Sequence, residues 1–163
     1  MPRKLADASA NGAPSLRRSE RELRQFGSPR LAKSTIAGAG RGLFAERDYE
    51  RGELVTFYDG RVLTNGQSSR SDSVYLLEYN ATYVIDGESG YRGLGRHINS
   101  PAGTGRRTNV EFVKDARRMR CLVQSKRRIR KGEEFLVAYG PSYWAAQRRR
   151  RKLEKAATAS LAS

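Results

Sequence analysis

Cysteine and histidine are almost missing from this chain. There is one of each in 163 residues, Cys121 and His97. A single cysteine can build neither an internal disulfide nor a four-cysteine zinc site. A single histidine removes the histidine clusters that hold many catalytic metals, so no metal is expected. Long apolar runs are missing too: nothing approaches the roughly 18 residues needed to span a bilayer, and no membrane partner is expected. Residues 1–30 hold no apolar stretch, which speaks against a secretory signal peptide. Their Arg, Ser and Ala content leaves an amphipathic transit peptide as a minor alternative, against which Asp7, Glu20 and Glu22 count. Acidic residues are scarce relative to basic ones, 17 Asp and Glu against 32 Lys and Arg, for a formal net charge of +15.

That charge is concentrated at the ends. Residues 1–30 carry 7 basic and 3 acidic side chains, and residues 145–163 carry 6 and 1. Basic ends favour a polyanion or an acidic surface by steering and counterion release, and they serve solubility equally well. The composition divides the chain into three: a basic, mostly disordered extension over 1–30, a folding unit over 31–144, and a basic helical or disordered tail over 145–163. Within the first part, Ser15–Phe26 has helical spacing of Leu16, Leu23 and Phe26 behind a Ser19/Glu22 capping pair.

Between 31 and 144 helical periodicity is scarce, and many short strands separated by long loops are expected. Arg30–Ala45 has glycines at 38, 40 and 42 before a strand-like Leu43-Phe44-Ala45. No dinucleotide or phosphate-loop pattern is completed, and a glycine hairpin is the plain reading. Leu54–Tyr58 reads as a strand closed by Asp59-Gly60. Val74–Tyr79, Thr82–Ile85, Val110–Val113 and Met119–Ser125 read as further strands, and Thr64–Asp72 reads as loop. Arg51-Gly52-Glu53 and Lys131-Gly132-Glu133 are near echoes, each a glycine turn entering an apolar run.

Two stretches do not fit a merely structural account. Gly93–Asn109 places Arg96, His97 and Asn99 beside a Ser-Pro-Ala-Gly turn, with Asn99 poorly placed for core packing. Gly132–Trp144 reads as turn, strand and an aromatic-ended loop. Both are expected to meet in space and to form the site between them. Taken alone, Cys121 is a core thiol, His97 a structural histidine, and Tyr139 an ordinary strand tyrosine.

Together, Gly40-Arg41-Gly42-Leu43-Phe44-Ala45, Tyr58-Asp59-Gly60, Arg96-His97-Ile98-Asn99-Ser100 with Asn109, and Gly132-Glu133-Glu134-Phe135 ending in Ala138-Tyr139-Gly140 resemble the SET-domain family of protein-lysine methyltransferases. The resemblance covers roughly residues 31–144 and is similar to the small, zinc-free members. It implies a mainly β fold with short helices, the SET-domain β-clip fold of several small curved sheets around a C-terminal pseudoknot. It also implies S-adenosylmethionine as cofactor and a peptide lysine as acceptor. By resemblance, Tyr139 and Tyr58 are the catalytic tyrosines. Phe112, Tyr58 and Trp144 line the lysine channel, and Gly40, Arg41, Gly42, Asn99, Ser100, Tyr139 and Trp144 hold the cofactor. Arg96 reads as a loop anchor. A Phe at 112 rather than a Tyr favours more than one methyl transfer.

The chain departs from the family pattern at Ser100, where a His is usual. It departs also at Ala138, where an Asp is usual, and in the longer loop Pro101–Thr108. A histone tail is the expected acceptor, with nucleosomal DNA touched by the basic ends and a nuclear or chromatin address. The alternatives are methylation of a non-histone protein and a non-catalytic SET-like module that binds chromatin or nucleic acid.

Overall fold

The computed structural model describes residues 29–89 and 92–161. The Ser15–Phe26 helix and the character expected for residues 1–28 lie outside these residues. Among the described residues, eight strands form three small antiparallel sheets. β1 (Arg30–Lys33) pairs with β2 (Arg41–Phe44), as the glycine hairpin requires. β3 (Leu54–Tyr58), β8 (Arg120–Ser125) and β7 (Val110–Asp115) form the second sheet in the order β3-β8-β7. β4 (Arg61–Thr64), β6 (Tyr83–Asp86) and β5 (Leu76–Glu78) form the third in the order β4-β6-β5. A single helical turn, α1 (Asn65–Ser68), follows β4, and a long helix, α2 (Pro141–Leu161), ends the described chain.

β3 explains much of the site's position. Its sequence, Leu-Val-Thr-Phe-Tyr, is β-branched and aromatic, and all five residues are buried. Among the described residues it hydrogen-bonds to one strand, β8, so something else must cover its other side. The turn Gly93–His97 does so. A Cβ on Gly93 would lie 2.2 Å from the Phe57 carbonyl oxygen, and one on Gly95 2.6 Å from it. Only glycine permits this approach, and Leu94 N–H then donates to buried Thr56 Oγ1 at 3.0 Å. The main core lies behind, with Leu43, Val55, Ile98, Val123, Ile129 and Phe135 fully buried.

Residues Glu134–Val137 pass through the middle of the molecule. Phe135 N–H donates to Leu43 O at 2.8 Å, and Val137 N–H donates to Asn99 O at 3.0 Å. Asn109, 2% exposed, donates to Glu134 O at 2.9 Å and accepts from Leu136 N–H at 2.7 Å. The segment is thus gripped by the Asn99–Asn109 loop on one side and by β2 on the other. This is the pseudoknot that the resemblance implies, and it brings the two unusual stretches together.

Three expectations need correction. Pro141–Trp144 opens α2 rather than forming an aromatic-ended loop. Proline fits the first helical turn because its missing N–H has no intrahelical partner there. From there α2 runs for 21 residues, to Leu161. Phe135–Val137 does not become a named strand, because it is bonded through isolated bridges to different neighbours on its two sides. Thr64–Asp72 contains α1, closed by a reciprocal Thr64/Gln67 capping box.

Candidate active site

Two groups of side chains converge where the Gly93–Asn109 and Gly132–Trp144 stretches meet. The first is aromatic. Tyr139 lies just beyond the gripped segment, and its hydroxyl donates to Ile98 O at 2.6 Å. Tyr58 ends β3, and its hydroxyl donates to Tyr75 O at 2.6 Å. Phe112, on β7, meets Tyr58 edge-on with ring centroids 5.6 Å apart. The first turn of α2 adds Tyr143, 4.3 Å from the Tyr139 ring, and Trp144, 6.0 Å from it. Burial pushes both the Tyr58 and Tyr139 phenols well above their usual value. The neighbouring Tyr139 raises Tyr58 further, as Tyr143 and Tyr75 raise Tyr139. Both phenols are therefore neutral throughout the physiological range.

The second group is polar and is built on Glu134. Its side chain is fully shielded from solvent. It accepts from Ser34 Oγ at 2.6 Å, from Thr35 N–H at 2.9 Å, from the Thr35 hydroxyl, and from Asn99 Nδ2 at 3.3 Å. Arg106 lies 3.8 Å away. Burial alone would raise this carboxyl, but the bonds from Ser34, Thr35 and Asn99 outweigh it and hold it below the usual range. Asn99 Nδ2 also donates to Arg41 O at 2.9 Å. Its amide is thereby fixed, and among the described residues its Oδ1 accepts no hydrogen bond.

The glycines beside this group have different jobs. Gly42 is buried because the Glu134 carboxylate occupies its Cβ position, 2.2 Å from an ideal Cβ. Gly40 has φ +70° and open space where a Cβ would be, so it shapes a turn and leaves a free ledge. Arg41 is exposed and contributes its carbonyl to Asn99. Ser100 Oγ accepts from Ala102 N–H at 3.4 Å and tightens the start of the widened loop.

His97 and Arg96 stand at the edge. Arg96 stacks over the Tyr75 ring at 4.7 Å and donates to Gly87 O at 3.0 Å, tying the turn to β6. Its Nε donates to His97 Nε2 at 3.2 Å. Burial, with Arg96 and Arg41 nearby, lowers the His97 value, so the ring stays neutral. Cys121 is buried in β8 with its thiol pushed up to about 11, as an inert core thiol should be.

The SET domain pattern matches residues 40–140 of this chain. The chain belongs to the SET-domain family. It is similar to the N-lysine methyltransferase KMT5A of Xenopus tropicalis, 30% identical over 132 residues, which are 73% of this chain and 39% of that protein. It is similar also to the histone-lysine N-methyltransferase Set8 of Drosophila melanogaster, 30% identical over 115 residues, 63% of this chain and 16% of that protein. The histone-lysine N-methyltransferase trr of the same fly is 32% identical over 118 residues, 67% of this chain and 5% of that protein. The chain thus spans about two fifths or less of the length of these relatives.

Sequence reasoning missed Glu134, Tyr75 and the Ser34-Thr35 pair. Glu134 stands beside Glu133, which forms an exposed ion pair with Arg127 at 2.9 Å. Two adjacent glutamates look alike until the backbone turns one outward and the other inward. Tyr75 contributes through its carbonyl, for which no residue type gives a signal.

Proposed function

We propose that this chain is an S-adenosylmethionine-dependent protein-lysine N-methyltransferase acting on a histone tail. The observation that carries the reading is the pair of phenols, Tyr58 buried and Tyr139 half-buried. Each commits its O–H to a main-chain carbonyl, which leaves oxygen lone pairs as the acceptors it can offer. Such an oxygen can accept an N–H from a neutral amine and turn the nitrogen lone pair toward a methyl donor. Family names support the same chemistry: the relatives above are lysine methyltransferases.

S-adenosylmethionine, when bound, supplies an electrophilic methyl group on a sulfonium. The residues present fit it. The ledge at Gly40 is open, Asn99 Oδ1 is an acceptor for an ammonium, and the aromatic faces of Tyr139, Tyr143 and Trp144 favour a cation. In this proposal Gly40, Arg41 and Ser100 contribute the backbone around the cofactor's amino-acid end. Gly42 acts indirectly, through the Glu134–Asn99 contact that it allows.

The chain's own contribution is positioning and desolvation. Tyr58, Phe112 and Trp144 form the walls of an apolar channel. Burial there disfavours the ammonium form of the acceptor lysine, so the side chain enters the reaction as the neutral amine. Tyr139 orients it. Holding two reactants in line is worth up to about 7–11 kcal/mol, the proton that the lysine sheds passes to solvent, and no covalent intermediate with the chain is needed. Phe112 offers no hydroxyl to the amine, which leaves room for a nitrogen already carrying a methyl group and favours repeated transfer.

Basic ends that grip nucleosomal DNA while the site reads a tail would reconcile a basic enzyme with a basic substrate, and they suit a nuclear address. The experiment is methyl transfer from labelled S-adenosylmethionine to histone octamers, nucleosomes and a cytosolic extract, with wild type beside Tyr139→Phe. Label on a histone lysine, lost in the variant, supports the proposal. Label only in the extract moves the substrate to a non-histone protein. No label together with no cofactor binding leaves a non-catalytic module.

A further inference from the structure

The widened loop Pro101–Thr108 takes no part in the aromatic site, yet it is placed with care. It leads into β7, while the basic segment Lys126–Lys131 leaves β8. β7 and β8 pair with Val110 opposite Ser125, so the two segments emerge side by side at one end of the hairpin. Lys126 N–H donates to Asn109 O at 2.8 Å, and Lys126 Nζ donates to Thr108 Oγ1 at 3.2 Å. Arg106, Arg107 and Arg127 therefore share one open face, and the exposed Lys126, Arg130 and Lys131 lie on the segment that borders it. An open cleft of about 530 Å³ lies in it, lined among others by Thr35, Arg106, Arg107, Arg127, Glu133 and Glu134.

The two carboxylates do not cancel these cations. They set two of them in place. Glu133 holds Arg127 at 2.9 Å, and Arg127 Nη1 also donates to Arg128 O at 2.7 Å. Glu134 lies 3.8 Å from Arg106, whose Nη1 donates to Thr35 Oγ1 at 2.6 Å. A guanidinium carries five N–H donors, so both retain donors for a ligand while their rotamers are already fixed. Among the described residues, Arg107, Arg130 and Lys131 form no side-chain ion pair. The face thus has two pre-set guanidinium forks and three further cations.

A lone anion would use little of this width. A protein partner would need an apolar anchor, and the exposed large hydrophobic residues, Val62, Val74, Tyr83 and Leu153, all lie elsewhere in the sequence, while Ile129 and Leu136 are buried. Repeated phosphates match cations spread along a surface, and arginine forks match phosphate oxygens.

We propose that this face binds the phosphodiester backbone of duplex DNA, with Arg106, Arg107 and Arg127 around the cleft and Arg130 and Lys131 extending the track. The contact is made by the folded SET domain itself, apart from the basic ends, and it does not depend on the methyl-transfer reading.

The test is fluorescence anisotropy of a labelled 20-base-pair duplex with the full chain, across a salt series. Wild type is compared with Arg107→Glu/Arg130→Glu and with Arg151→Glu/Lys152→Glu on α2. Circular dichroism and the unfolding midpoint check that each variant is folded. The core variant should bind roughly tenfold more weakly or worse, and its slope of log K against log salt should fall by about 2, one for each phosphate contact removed. Three results overturn the proposal: no binding by wild type at 50 mM salt (a condition at which phosphate contacts are about strongest), unchanged affinity and slope in the core variant, or loss in the α2 variant alone.

Discussion

The site is made of two halves that work in opposite ways. The aromatic half, Tyr58, Phe112, Tyr139, Tyr143 and Trp144, is neutral, and the hydroxyls of Tyr58 and Tyr139 each make one bond to a backbone carbonyl. The polar half, Glu134 with Ser34, Thr35, Asn99 and Arg106, is charged and densely bonded. The first half can change partners at little cost, since its oxygens are left to accept. The second cannot, because a buried carboxylate that loses a donor keeps its full desolvation cost. One half is therefore suited to chemistry and the other to holding the chain in the shape that chemistry needs.

Variants can separate the halves. Glu134→Ala is expected to cost the most, about 3–5 kcal/mol of stability, because it removes the buried acceptor that Ser34, Thr35 and Asn99 share. Chemical denaturation measures this, and a loss under about 1 kcal/mol would show that the network is dispensable. Tyr139→Phe should leave the unfolding midpoint nearly unchanged while lowering turnover roughly 100-fold, the scale expected when a positioned group is lost. Steady-state methyl transfer reads it, and wild-type turnover in this variant would remove Tyr139 from the mechanism.

Gly42→Ala sharpens the comparison from the backbone side. Its methyl group would sit where the Glu134 carboxylate now lies, so a loss of about 1–3 kcal/mol is expected. The equivalent Gly40→Ala meets open space but a strained φ of +70°, and should cost about 1–2 kcal/mol. A Gly40 cost well above that of Gly42 would reverse the roles given to them. Smallest of all, Phe112→Tyr should alter stability by under about 1 kcal/mol and shift products toward fewer methyl groups, as mass spectrometry of the peptide would report.

The polar half also has a pH signature. The folded-state value of the Glu134 carboxyl lies below its ordinary 4.5. The stability it contributes is thus fully present above about pH 4.5 and is lost as pH falls through the depressed folded value. Glu134→Gln should flatten that acid limb of the stability curve, measured by thermal unfolding between neutral and acid pH. An unchanged acid limb would assign the loss to other carboxylates.

How much of this was legible in the sequence differs between the halves. Tyr58, Asn99 and Tyr139 stood in recognisable motifs, Phe112 three residues beyond the Asn109 of one, and β3 was readable to the residue because Leu-Val-Thr-Phe-Tyr has no competing pattern. β1 and β4 were not, since Arg-Leu-Ala-Lys and Arg-Val-Leu-Thr are short edge strands without alternation. α2 was read as starting at Ala145 because its first turn, Pro-Ser-Tyr-Trp, resembles a loop until proline is taken as the opening of a helix. The polar half was hidden for a deeper reason. Ser34 and Glu134 lie 100 residues apart, and only the passage of Glu134–Val137 through the Asn99–Asn109 loop makes them neighbours. No local periodicity encodes a threading.

The most direct test of the division is calorimetric titration of S-adenosylmethionine into wild type, Tyr139→Phe and Asn99→Ala, followed by single-turnover methyl transfer. Tyr139→Phe is expected to keep cofactor affinity within about threefold and to lose the transfer step, while Asn99→Ala loses affinity by roughly tenfold or more. Equal affinity losses in both variants, or full transfer by Tyr139→Phe, would contradict that division.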